Sequence, residues 1–157
     1  MGREMAKLQS GFTLIELVVV IVILGILAAV AVPRVVSFQL DARKAAVNGM
    51  MAGVRAAATL SHAQAYVENK ITAASGDTVT MEGKLVALAY GYPDGTANGI
   101  ANAMNAYDGF AFSAGTPATF KLINPSTGLG IDNCMASYSQ AQSAAIPPEI
   151  TVTVTGC

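Results

Sequence analysis

From Phe12 to Val32 the chain reads FTLIELVVVIVILGILAAVAV, 21 residues in which only Thr13 and Glu16 are strongly polar. A helix rises 1.5 Å per residue, so this run covers about 32 Å, enough for the hydrocarbon core of a bilayer. Beyond Pro33 the pattern changes from uniformly apolar to striped. Val36, Leu40, Val47, Met51, Val54 and Ala58 recur at spacings of three, four and seven, with Asp41, Arg43, Lys44, Asn48 and Arg55 between them. That is the mark of a helix with one apolar face. Ala45, Ala46, Ala52, Ala56 and Ala57 are strong helix formers in the same stretch. Together the two patterns predict one long helix from about Phe12 to about Tyr66, its first half in lipid and its second half packed on a head.

From Ile71 the helical period stops and short apolar runs alternate with Gly, Ser, Thr, Asn and Pro. TVTM, KLVALAY, GFAFSA and TFKLIN read as strands bounded by turns. In EITVTVT, Ile150, Val152 and Val154 alternate with Thr151, Thr153 and Thr155, a half-buried antiparallel strand. Ile100, Met104 and Tyr107 fall at helical spacing within TANGIANAMNAY, which predicts a short helix or turn. The fold class is therefore α+β: a long N-terminal helix packed on a small antiparallel sheet, divided as a leader (1–11), an apolar helix (12–33), an amphipathic helix (34–70) and a β-rich head (71–157).

Of the 157 residues 53% are apolar and 12% charged, about half the globular average of charge, and the net charge is −1. With no basic tract, no nucleic-acid partner is expected. The apolar excess lies in alanine and in the N-terminal run, which points to an anchored protein. Cys134 and Cys157 flank a short segment; in an exported domain such a pair forms a disulfide, and otherwise the two are separate thiols. If Cys134 to Tyr138 pairs antiparallel with the strand ending near Thr155, the cysteines come within bonding distance. A bridge closing that loop contributes roughly 3 kcal/mol in the chain-entropy account.

The apolar run is too long for an ordinary secretory signal, and PRVVSFQLDARK follows it without a small-residue cleavage site, so it is expected to stay in the mature chain. Arg3 and Lys7 lie on one side; Arg34, Arg43 and Lys44 lie on the other. Basic residues therefore do not settle the orientation, whereas the cysteines favour an outward-facing C-terminal part. Glu16 is the anomaly. A carboxylate in a membrane helix costs up to about 2.5–3.5 kcal/mol, less near the interface. No Lys or Arg stands three or four residues from it. A cut between Gly11 and Phe12 would expose an amine four residues before Glu16 on the same face. That amine either satisfies its own Glu16 or pairs with Glu16 of another copy, turning the cost into a registration signal.

These residues resemble a known family. GFTLIELVVVIVILGILAAVAVP, behind a short basic leader ending in Gly11, closely resembles the type IV prepilin N-terminus. The resemblance implies a prepilin peptidase that cuts after Gly11 and methylates Phe12, a Glu16 that pairs with a neighbouring N-terminus, and a segment from Gly25 to Pro33 that extends in filaments. Gly25 weakens that stretch by roughly 1 kcal/mol relative to alanine, and Pro33 removes a backbone hydrogen bond. NCMASYSQAQSAAIPPEITVTVTGC, with GYPDGTANGI upstream, resembles the mannose-sensitive haemagglutinin branch of type IVa pilins. That likeness implies a four-stranded antiparallel sheet on the helix and a surface loop bounded by a Cys134–Cys157 disulfide.

Catalytic chemistry is not expected. His62 is the one histidine, which excludes a histidine-dependent triad or a multi-histidine metal site. Asp77, Glu82, Asp94, Asp108 and Asp132 are scattered among turns, with no metal motif behind them. Gly128–Gly130 is a turn without a following helix, and Asn124 is followed by proline, so neither a phosphate cradle nor a glycosylation acceptor is present. No cofactor is expected. The expected function is a major pilin: a single-pass inner-membrane subunit that an assembly platform polymerises into an extracellular homopolymer for adhesion and biofilm formation. Its surface ligand is not legible. The alternatives are a type II secretion pseudopilin, a minor pilin, or a monomeric membrane-anchored binding domain.

Overall fold

The computed structural model describes residues 11–157, with the side chains of Pro33 and Val36 left aside. Of the expected leader, only Gly11 falls within the described residues. One helix, α1, runs Leu14–Val67 as the two apolar patterns predict, and it is unbroken at Gly25 and Pro33. The chain divides into two units between Gln39 and Leu40.

In the first unit every described side chain is exposed, Phe12 at 90% and Ile23 at 51% among them. A helix that is apolar all round is stable only against lipid or other protein. Among the described residues α1 is the one helix long and apolar enough to cross a membrane.

In the second unit α1 buries Val47, Met50, Val54, Ala57, Ala58, Ser61 and Ala65. Val47, Val54 and Ala58 fall on the expected face. Met50 is buried and Met51 only half-buried, while Leu40 is 41% exposed. The two methionines are adjacent and equally apolar, so their composition cannot say which one turns inward. The expected place of Val36 on this face lies outside the described side chains.

Seven strands follow. β1 (Thr78–Met81), β2 (Lys84–Ala89) and β3 (Tyr92–Pro93) form one antiparallel sheet in that order. β4 (Phe110–Ser113), β5 (Ala118–Ile123), β6 (Gly130–Ser139) and β7 (Glu149–Thr153) form a second, also antiparallel. The four-stranded sheet implied by resemblance is present, and the three-stranded sheet is an addition to it. The addition arises because TVTM and KLVALA pair with each other through the two-residue turn Glu82–Gly83, with Met81 opposite Lys84. In the second sheet Met135 lies opposite Thr153 and Tyr138 opposite Ile150, the expected hairpin.

Three apolar clusters follow one another along the helix. Val47 packs on Cys134 and Cys157. Met50, Val54 and Ala58 pack on Ile100, Ala118, Phe120, Ala136 and Tyr138. Ala65 packs on Val79, Val86 and Leu88 of the three-stranded sheet. Phe120 sits 5.1 Å from the Phe112 ring and 5.6 Å, edge-on, from Tyr107, spacings at which aromatic rings attract. The expected short helix is a single π-helical turn, Ala97–Ala101. Thr96 caps it by accepting the Gly99 amide, and the turn delivers fully buried Ile100 to the second cluster.

Candidate functional site

At the start of α1, Thr13 and Glu16 cap each other. The Glu16 carboxylate accepts the Thr13 amide at 2.9 Å and the Thr13 hydroxyl at 2.8 Å, while the Glu16 amide donates to the Thr13 hydroxyl oxygen at 3.3 Å. This is a capping box, in which a threonine and a glutamate three residues on satisfy donors that a helix start leaves orphaned. The expected partners of Glu16, a cation or a new amine, leave out Thr13, which is its partner here. The signal was legible as Thr-x-x-Glu ahead of an apolar run.

Both bonds from Thr13 fall on one carboxylate oxygen, Oε2. Around the carboxylate lies a shallow groove of Phe12, Ile15, Val19 and Val20. The site therefore offers an ionisable oxygen on an apolar helix face, which can accept a hydrogen-bonded cation from outside the chain. Phe12, the expected first mature residue, stands beside it. Gly11 and Gly25 are open to space, with nothing within 4 Å of where a side chain would begin.

At the far end of the chain Cys134 and Cys157 form a disulfide, with Cα atoms 4.8 Å apart and both residues buried. Past the end of β7 the Gly156 amide donates to Asn133 O, holding the C-terminal turn against the start of the bridge. Arg43 of α1 donates through Nη1 to the Cys157 carbonyl at 3.0 Å, tying the closed loop to the helix.

The remaining candidates have local tasks. His62 stacks flat on Tyr92 with ring centroids 3.8 Å apart, and its Nδ1 lies 3.1 Å from Gly91 O. Asp132 pairs with Lys121 at 2.7 Å, and that hydrogen bond and charge hold its carboxyl below the usual aspartate value. Asp94 accepts the Thr96 amide and hydroxyl, and Glu82 accepts the Asn105 side-chain amide. Among the described residues no three His, Cys, Asp or Glu side chains gather as a metal site would require.

Residues 6–32 match the family model described as the prokaryotic N-terminal methylation motif. The chain is 53% identical over 56 residues to the type IV narrow pilus major component PilA5 of Thermus thermophilus, covering 36% of this chain and 48% of the relative. It is 35% identical over 108 residues to the type IV major pilin protein PilE1 of Neisseria gonorrhoeae, covering 67% of this chain and 48% of that protein. To the type II secretion system core protein G of Pseudomonas aeruginosa it is 53% identical over 49 residues, 31% of this chain and 34% of the relative. These matches span about half or less of the relatives' own lengths. No solved structure matches. The chain thus carries a prokaryotic N-terminal methylation motif that runs into its long helix, joined to an antiparallel head closed by a disulfide, and it is similar to type IV major pilins.

Proposed function

We propose that the chain is a major type IV pilin, a structural subunit with no catalytic task. It waits in the inner membrane as a single-pass protein and is then polymerised by an assembly platform into a surface filament for adhesion and biofilm formation. A prepilin peptidase cuts between Gly11 and Phe12 and methylates the new amine. In the filament that amine meets Glu16 of an adjoining copy. Gly25 to Pro33 is the segment that yields when the fibre is extended, because a glycine and a proline weaken the helix there. Residues 12–33 form the filament core, 34–70 the amphipathic arm and 71–157 the outward head. On its tail residues alone we assign the head to the mannose-sensitive haemagglutinin branch.

The observation that carries this reading is the coincidence of three features in one segment. The methylation motif spans residues 6–32, and within it, from Phe12 to Val32, lie a carboxylate with acceptor capacity to spare and a continuous exposed apolar surface. A helix of that kind needs lipid before assembly and other helices after it. Intact-mass measurement and N-terminal sequencing of sheared surface material test the reading. A mature chain beginning at methylated Phe12 supports it. Recovery solely as a membrane-bound monomer that keeps its first eleven residues would sink it.

The likeness to a secretion-system core protein favours a pseudopilin as second reading. Electron microscopy separates the two, since a major pilin dominates long sheared fibres and a pseudopilin or a minor pilin does not.

A further inference from the structure

Two open hollows of about 530 and 490 Å³ adjoin in the head, and Lys84 and Asn102 line both. Leu85, 62% exposed, lines the first; half-buried Tyr107 and Phe110 line the second. Asn98 adds a polar group to the first hollow, and Asn105 and Asp108 add theirs to the second.

Asn98, Asn102 and Asn105 fall four and three residues apart, a spacing that keeps helical residues on one side, while Ile100 and Ala101 are buried. Asparagine is a weak helix former, so three of them here do not serve the helical turn itself. Their bonds fix how they are presented. Asn102 Nδ2 donates to Leu85 O at 2.8 Å, and Asn105 Nδ2 donates to the Glu82 carboxylate. Both partners can only accept, so each amide turns its nitrogen to the β1–β2 hairpin. Each amide oxygen is left as an acceptor without a partner among the described residues. The side chains of Asn98 and Asp108 make no hydrogen bond among those residues either. Lys84 gives one N–H to Asn105 O at 3.1 Å and forms no ion pair among the described residues, which leaves two donors.

This lining selects by chemistry. A ligand must bring several donors to fixed acceptors and an acceptor to Lys84. The charges of Lys84 and Asp108 offset each other, so the lining favours neither an anion nor a cation. A sugar ring meets these conditions. It is neutral, its hydroxyls both donate and accept, and its C–H faces suit Leu85 and Tyr107.

We propose that the paired hollows bind a neutral oligosaccharide, one ring in each, with Lys84 and Asn102 between the rings. The inference rests on the adhesive-fibre reading and gives it a ligand class.

The test passes sheared fibres over a printed panel of neutral hexose and N-acetylhexosamine oligosaccharides, with sialylated and sulfated ones beside them. Wild-type fibres should be retained on neutral members of two or more rings. Asp108→Ala in the second hollow and Asn98→Ala in the first should each lower retention at least tenfold. Neither side chain has a hydrogen-bond partner to lose, so the subunit in micelles should melt as wild type does. Retention on charged members alone, on none, or undiminished in either variant overturns the proposal. The wild-type subunit in micelles is also titrated with each neutral disaccharide of the panel. At least one should shift the Asn102 and Asp108 amide resonances, and no shift with any of them overturns the site. Absence of fibres from the wild type would overturn the filament reading instead, and the titration would still decide the groove.

Discussion

A carboxylate that already accepts two bonds from Thr13 needs no charge for that task, and two substitutions separate the cap from the charge. Glutamine serves as well as glutamate at the third position of a capping box. Glu16→Gln should therefore keep the helix start and membrane insertion while sheared fibre falls to background. Thr13→Val removes the cap, at about 1 kcal/mol, but keeps the charge, so fibre should persist. Normal fibre from Glu16→Gln, quantified by immunoblot of the shear fraction, would reduce Glu16 to a capping residue. Tyr138 offers a second residue-scale test. Its buried hydroxyl donates to Pro93 O at 2.7 Å, and burial first, then Asp94 and Tyr92, pushes its pKa well above the usual tyrosine value. Tyr138→Phe leaves a buried carbonyl without its donor and should cost about 1–3 kcal/mol at neutral pH. A raised folded pKa means that this contribution is complete below the unfolded value of about 10 and is lost as pH rises toward the folded one. Thermal unfolding of the full chain in micelles should therefore steepen above pH ~10 in wild type more than in Tyr138→Phe.

At the scale of elements, the β6–β7 hairpin and its bridge act together. Beyond the paired strands the Gly156 amide reaches Asn133 O, and the disulfide closes a loop with a sequence separation of 23 between its cysteines. Replacing both cysteines by serine should cost about 2–5 kcal/mol, read from denaturant unfolding. The α1–sheet packing at Val54 and Phe120 should outlast the C-terminal strand, since their cluster contains neither cysteine. Amide exchange in the double variant would show β7 opening before β5; equal protection of the two strands would contradict this order. Much of this level was legible in the sequence because periodicity and alternation are properties of neighbouring residues. The apolar run and the stripe through Val47, Val54 and Ala58 located α1, and the alternation of Ile150, Thr151 and Val152 located β7. What stayed hidden depends on partners distant in the chain or on single contacts. The two residues of β3 are too few to show a period, and they become a strand only because Leu88 and Ala89 lie opposite. The choice of Met50 over Met51 is made by the sheet that packs on the helix. The Thr13–Glu16 cap is legible as Thr-x-x-Glu ahead of the apolar run, a short-range pattern that needs no cation.

The whole molecule joins two segments with separate energetics. The described side chains from Phe12 to Val32 are all exposed, and no apolar cluster of the head draws on a residue before Val47. Arg43, which ties the helix to the Cys157 carbonyl, also lies beyond the division at Gln39. A chain beginning at Leu40 therefore keeps the three clusters, both sheets and the disulfide. Exported to an oxidising compartment, this piece should be soluble without detergent. By light scattering it should be a monomer, and it should melt cooperatively within a few degrees of the full chain in micelles. Aggregation, or loss of a cooperative transition, would show that the first unit supports the fold of the second. The same piece lacks Phe12 and Glu16, so it has neither half of the proposed amine–carboxylate pair. Produced alongside the full chain in the same cells, it should be absent from sheared fibres even though its head is intact. Its incorporation would mean that heads recruit subunits on their own, and the registration role of Glu16 would fall.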